Sequence, residues 1–213
     1  PRIEALLKMP QLSTGDMLRA AVAAETEVGK KAKEIMKAGG LVSDDIVVKI
    51  IHDRIQEEDC KFGFILDGFP RTLAQAKALD AMLAKEGACV TKVIELQVPD
   101  SLLEERICGR WIHKTSGRSY HVKYAPPKSM KLDDNGKPIP ESMMDDETGE
   151  PLMQRSDDTP VALTKRLKGY HNDTVPILEH YRPKGIVKGA NANQGMEGVW
   201  KDVLEALQRP KQV

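Results

Sequence analysis

Several arginines stand where the chain changes course. Arg19 follows Ser13-Thr14-Gly15 closely, and Arg71 closes Asp67-Gly68-Phe69-Pro70-Arg71 just after the apolar run Phe62-Gly63-Phe64-Ile65-Leu66. Arg106 and Arg110 are four apart in what reads as one helix, hence on one face. Arg155 precedes the pair Asp157-Asp158, and Arg166 lies in helical pattern beyond it. A guanidinium is a permanent, forked cation that holds phosphate oxygens in pairs. One such arginine is ordinarily a surface residue. Their joint placement at strand ends and segment boundaries, where open α/β sheets take ligands, points to phosphate chemistry. Asp67 directly after a strand can orient Mg²⁺ or its waters beside a phosphate, or can simply cap the turn. Gly68 would let a ligand approach the main chain closely.

The elements that hold these residues read as alternating helices and strands. A helix begins at the N-terminus, with Ile3, Leu6 and Leu7 in helical spacing behind Pro1, a residue suited to a first helical turn. Ser13 or Thr14 can cap a second helix over about 17–25, and a third covers 28–37 before Gly39-Gly40. Ser43 starts another, with Ile46, Ile50, Ile51 and Ile55 as its apolar stripe. Residues 62–66 read as a buried strand, 72–85 as a helix and 93–98 as a second strand. Asp100 caps a helix that reaches Arg110. After the insert described below, helical pattern runs from Thr159 to about Tyr181, followed by a short strand near 185–187 and a last helix over 196–207. This alternation predicts an α/β domain with a parallel sheet.

The stretch 111–158 differs. It holds Pro126, Pro127, Pro138, Pro140 and Pro151, with Met130, Met143, Met144 and Met153, and few long apolar repeats. A disordered linker is one reading. The alternation in Ser119-Tyr120-His121-Val122-Lys123-Tyr124, and turns at Asp134-Asn135-Gly136-Lys137 and Glu147-Thr148-Gly149-Glu150, favour a small β-rich insert.

Composition narrows the classes. The chain has 213 residues, 40% hydrophobic and 30% charged, which fits a globular protein of one domain with an insert. Its apolar runs are too short for a membrane span. Lys+Arg and Asp+Glu both number 32, so no protein-wide footprint for a nucleic-acid polymer or a membrane surface is expected, while a local anion site stays open. Cys60, Cys89 and Cys108 form no CxxC pair. They read as reduced thiols packed as small hydrophobes, in a cytosolic or organellar interior. No signal or transit segment is visible.

Six motifs follow one another in the order of a known family. They are Leu12-Ser13-Thr14-Gly15-Asp16-Met17-Leu18-Arg19, Leu41-Val42-Ser43-Asp44, Asp67-Gly68-Phe69-Pro70-Arg71 with Gln75, Glu105-Arg106-Ile107-Cys108-Gly109-Arg110-Trp111, Ser116-Gly117-Arg118-Ser119-Tyr120-His121, and Arg155-Ser156-Asp157-Asp158. Together they resemble the adenylate kinases across essentially the whole chain. The length of 111–158 resembles the long-lid form.

The resemblance implies a P-loop-kinase-like parallel sheet flanked by helices, divided into a core (1–13, 43–110 and 159–213), an AMP-binding helical subdomain (14–42) and a lid (111–158). It implies reversible, Mg-dependent phosphoryl transfer from ATP to AMP, giving two ADP. Thr14, Arg19, Val42, Gly68, Arg71 and Gln75 match the AMP site. Arg19 and Arg71 would hold the AMP phosphate, Gln75 would read the adenine edge, and Val42 and Gly68 would offer main chain. Asp67 would orient Mg through water. Arg106, Arg110, Arg155 and Arg166, with Arg71, match arginines that close on the transferring phosphoryl group. Tyr120 matches a lid aromatic of the ATP site, Asp157 and Asp158 match the lid hinge, and residues 190–194 would lie by the ATP adenine. The resemblance further implies a monomer and the cytoplasm, with the mitochondrion as the alternative.

Phosphoryl transfer asks mainly for alignment and positive charge, and the phosphate of AMP is largely dianionic at neutral pH. No general base is needed, so His52, His113, His121, His171 and His180 are expected to be surface or lid-packing residues. The family also opens on a strand and a glycine-rich loop with a lysine, yet no GxxxxGK[ST] occurs in this sequence. Such a segment is expected upstream of Pro1. The alternative is a nucleotide-binding fragment or regulatory relic with impaired turnover; a further alternative is a GTP:AMP phosphotransferase.

Overall fold

The computed structural model describes residues 2–208. Pro1, read above as a first-turn proline, lies outside the described residues. The chain divides into two compact units, 1–98 with 166–213, and 99–165.

The first unit opens with α1 (Arg2–Leu7). Its apolar stripe does not bury: Leu6 and Leu7 are exposed. A short strand the sequence pattern did not show, β1 (Gln11–Ser13), pairs in parallel with β2 (Ile65–Asp67), Ser13 standing opposite Asp67. Three residues, two of them polar, are too few for alternation to register. Helices α2 (Thr14–Ala23), α3 (Glu27–Lys37) and α4 (Asp44–Ile55) follow. Ser13 caps α2, its Oγ accepting from the Asp16 N–H, and Thr26 caps α3 by accepting from the Gly29 N–H. Ser43 occupies the cap position of α4 but makes no side-chain cap bond.

Helix α5 (Leu73–Lys85) is capped by Thr72, and β3 (Val93–Gln97) pairs in parallel with β7 (Val187–Asn191). The parallel strands thus lie in two two-stranded sheets, β1-β2 and β3-β7. The helical run beyond residue 159 is not one helix. It comprises α7 (Pro160–Gly169), a π-helical turn Tyr170–Thr174, and α8 (Val175–Tyr181). Pro176 lacks an N–H to donate back along the helix, and the wider turn falls just before it. Helix α9 (Met196–Leu207) closes the unit.

One buried cluster joins α2, α3, α4 and α5 through Leu18, Ala32, Val42, Val47, Ile51, Phe69, Leu79 and Leu83. At about 1.5–3 kcal/mol for each large aliphatic or aromatic side chain, this burial outweighs any single polar contact nearby. It fixes Val42, and through Phe69 and the packed Leu66 it fixes the backbone leading into and out of Gly68. A second cluster of Ala76, Ile177 and Tyr181, backed by Val93 and Val187, packs α5 and α8 on the β3-β7 strands.

The second unit contains α6 (Asp100–Cys108) and a three-stranded antiparallel sheet. Its central strand is β4 (Arg110–His113), between β5 (Ser119–His121) and β6 (Leu152–Met153). Asp100 lies in the first turn of α6, with Pro99 at the cap position. The expected helix to residue 110 stops short, which corrects the placement of Arg106 and Arg110 on one helical face: Arg106 is on α6 and Arg110 begins β4. Gly109 makes the break. A Cβ there would sit 2.6 Å from His121 Nε2, so the side-chain-free residue lets β5 close over the helix end. The turn signals hold, with Gly136 and Gly149 at positive φ. The segment 111–158 is therefore folded rather than a linker.

Among the described residues no helix is long and apolar enough to cross a membrane. Cys60 is buried, but Cys89 is exposed, against the expectation that all three thiols pack inside.

Candidate active site

In the first unit the polar residues converge on one turn. Gly68 has φ +69°, a left-handed conformation that strains any side chain. A Cβ at this position would come within 2.8 Å of Arg71 Nη2 and 3.4 Å of Thr14 Oγ1. The Gly68 carbonyl is gripped from both sides, by Thr14 Oγ1 at 2.9 Å and by Arg71 Nε at 2.7 Å. Thr14, only 3% exposed, is thus turned into the loop and leaves capping to Ser13.

Arg19 sits one turn into α2, its guanidinium paired with Asp16. Nε donates at 3.2 Å and Nη2 closer still. A phosphate arriving here would compete with a carboxylate already in place. Val42 is buried. Gln75 is 2% exposed; its Oε1 accepts from the Arg71 N–H at 2.7 Å and its Nε2 donates to Asp44 Oδ1 at 2.7 Å. Thr72 Oγ1 also donates to Asp44, at 3.0 Å. Asp67 is exposed at the end of β2, with Oδ2 accepting from Gln11 Nε2 at 2.9 Å. An exposed, acceptor-only carboxylate suits the water shell of a hard dication. Among the described residues no group of three or more His, Cys, Asp or Glu side chains could grasp a metal directly. Arg166 lies in the last turn of α7. In the 190–194 segment, Gln194 Nε2 and the Asn191 N–H both donate to Asp202.

The second unit carries Arg106 on α6, Arg110 on β4, and Arg155, Asp157 and Asp158 between β6 and α7. Arg110 holds Asp158 through two bonds, and the Asp158 side chain has no solvent exposure. Tyr120 OH donates to Asp145 Oδ1 at 3.0 Å and accepts from the Asp146 N–H at 2.8 Å.

Asp145 itself escaped the sequence reading. Its buried carboxylate accepts a two-pronged contact from Arg118 at 2.8 and 2.7 Å, and both the N–H and Oγ1 of Thr148. These donors, Arg118 first, hold its carboxyl far below the ordinary carboxylate range. Beside it the buried His113 bonds Ser116 Oγ at 2.7 Å and Glu150 Oε2 at 2.6 Å. His121 donates from Nε2 to the Glu105 carbonyl while Nδ1 accepts from the Lys123 and Tyr124 N–H groups. Both histidines pack this unit together. His180 does the same in the first unit, bonded to Asp80 at 2.9 Å.

The first unit thus carries the Gly68 turn on an α/β core, and the β-rich second unit carries Arg106, Arg110 and Arg155. The sequence matches the family profile described as adenylate kinase over residues 1–186. It is 52% identical over 196 residues to "Adenylate kinase 3" of Oryza sativa subsp. japonica, covering 92% of this chain and 76% of that protein. It is 48% identical to "Adenylate kinase 4" of Arabidopsis thaliana, covering 92% and 75%. With "Adenylate kinase" of Aspergillus terreus the identity is 49% over 210 residues, covering 98% and 77%. The chain belongs to the adenylate kinase family, and so to the phosphotransferases that act on nucleoside monophosphates.

Proposed function

We propose that this protein moves the terminal phosphoryl group of ATP to AMP, reversibly, yielding two ADP. The observation that carries the reading is the Gly68 turn, held between Thr14 and Arg71. It brings a side-chain-free stretch of backbone and a guanidinium together, which is what a phosphate-bearing small ligand needs.

In this reading Arg19 and Arg71 hold the AMP phosphate, and Val42 and Gly68 face the nucleotide through main chain. Gln75 reads adenine with its second N–H and the second lone pair of Oε1, the first of each being used within the fold. Arg106, Arg110, Arg155 and Arg166 offset charge on the transferring group. Asp67 holds waters of Mg²⁺, which when bound neutralises part of the phosphate charge. Segment 111–158 acts as the lid, hinged at Asp157-Asp158, and Tyr120 and residues 190–194 belong to the ATP side. Lid closure excludes water, which would otherwise accept the phosphoryl group. The protein acts as a monomer on free nucleotides.

Calorimetry with AMP and with a bisubstrate dinucleotide, run beside an assay for ADP, tests this. Binding of both with ADP formation supports it. Binding without ADP would leave a nucleotide-binding module without turnover. Competition between ATP and GTP as donors decides the remaining specificity.

A further inference from the structure

Thr174 lies outside every motif that pointed to nucleotide chemistry. It is 103 residues from Arg71, yet its Oγ1 donates to the Arg71 carbonyl at 2.9 Å in a partly buried bond. On the other side, the Arg71 N–H donates to Gln75 Oε1, and Gln75 is held in turn by Asp44. Arg71 sits between β2 and α5, in neither a strand nor a helix, so its N–H and C=O fall outside any ladder or helical repeat. Both are instead taken up by side chains, one from α5 backed by α4 and one from the π-helical turn.

This geometry has a directional consequence. Fixing the N–H and the C=O of one residue sets its φ and ψ, and with them the direction of its Cα–Cβ bond. The amide orientation of Gln75 is dictated by chemistry: an N–H must meet Oε1, and a carboxylate must meet Nε2. A second anchor keeps the clamp in place. Further along, Asp80 of α5 accepts from His180 and Tyr181 of α8, at 2.9 and 3.3 Å, and from Lys184 just beyond α8 at 2.7 Å. Helices α5 and α8 are therefore tied at Asp80 as well as through the residues Arg71 and Thr174 that precede them. The π turn adds an independent sign. Such turns are rare and frequently fall at functional places, and this one ends on the residue that reaches Arg71.

We propose that Thr174 and Asp44, the latter through Gln75, are positioning residues that aim the Arg71 guanidinium at the phosphate of the acceptor nucleotide. The proposal rests on the reading of Arg71 given under the proposed function. Neither Thr174 nor Asp44 need touch the ligand.

Binding of AMP and of adenosine, followed by NMR titration, separates aiming from mere support. Adenosine has the same base and ribose but no phosphate. Thr174→Val is expected to weaken AMP about five- to tenfold, the size of one lost hydrogen bond, and to leave adenosine unchanged. Thr174→Ser should restore AMP binding. Asp44→Asn, which keeps the shape and removes the charge, should weaken AMP more than adenosine, since Gln75 also meets the adenine, and serves if Thr174→Val does not fold. Wild-type AMP affinity in both variants, or an equal loss for AMP and adenosine, or no rescue by serine, overturns the proposal. Arg71→Ala in the same series keeps two failures apart. If it binds AMP as the wild type does, the phosphate role of Arg71 itself is wrong. If it loses AMP while the other variants do not, only the aiming role falls.

Discussion

Arg110 and Asp158 form a two-pronged ion pair across 48 residues of sequence, Nε to Oδ2 at 3.0 Å and Nη2 to Oδ1 at 2.5 Å. The carboxylate is fully withdrawn from solvent, while a quarter of the Arg110 side chain remains exposed. The pair uses one edge of the guanidinium and leaves Nη1 outside it. An arginine expected to meet phosphate is thus already oriented by a buried partner, and the first and last strands of the second unit's sheet are joined near the same place.

Asp158→Ala should therefore destabilise the protein by about 2 kcal/mol, less than a fully buried pair would because Arg110 stays partly wet. Urea denaturation measures it. Arg110→Lys should recover little, since an ammonium cannot span both carboxylate oxygens. A cost below a few tenths of a kcal/mol for Asp158→Ala would mean that the pair orients nothing.

Asp145 predicts a pH response. Its folded-state pKa is depressed, with the Arg118 contact as the main cause, while burial pulls the other way. A depressed carboxylate contributes stability above its unfolded pKa, about 3.9, and that contribution is lost as pH falls through the folded value. Within the second unit Asp145 faces Arg118, Tyr120 and, at 3.9 Å, His113 Nδ1, and Glu147 shares Arg118 with it. Melting temperature should accordingly change little through Asp145 between pH 7 and about 5, and decline below about 4. Asp145→Asn should melt lower than wild type at neutral pH, with the gap narrowing in acid. A gap that stays constant to the lowest pH would refute the assignment.

Gly29 offers a test of sign. In an ordinary exposed helix, glycine to alanine stabilises by roughly 1 kcal/mol. Here a Cβ on Gly29 would lie 2.0 Å from the Ala21 carbonyl oxygen and 2.3 Å from its carbon. The obstacle is backbone, which cannot swing aside, so α2 and α3 must part. Gly29→Ala is expected to cost at least about 2 kcal/mol by thermal unfolding and to weaken AMP binding by displacing Thr14 and Arg19. A stabilised variant would show that the two helices do not pack as described.

Much of this fold was legible because burial leaves a periodic trace. The helix over 44–55 announces itself by the spacing of Ile46, Ile50, Ile51 and Ile55, and the helix after Ser13 by capping chemistry. The strand at Gln11–Ser13 was not legible, because its place depends on a partner 54 residues away. Nor was the break at Gly109, whose cause is the imidazole of His121 lying over it. At the candidate site, motif residues such as Thr14, Gly68 and Arg71 could be named from the sequence. The residues that hold them could not. Asp44, Asp145 and Thr174 act through contacts 25 to 103 residues away, and nothing local marks a threonine as the donor to a distant carbonyl.

The π turn at Tyr170–Thr174 sets a rule about chain length. Such a turn accommodates one residue more than an α-helix would, which offsets everything beyond it by about 100°. Deleting one residue there would leave a well-formed rod, but would swing Ile177 and Tyr181 off the core while Arg166 upstream stayed put. Substitutions in this stretch are therefore tolerable in a way that insertions and deletions are not: the segment works as a fixed gear between the two ends of the helix.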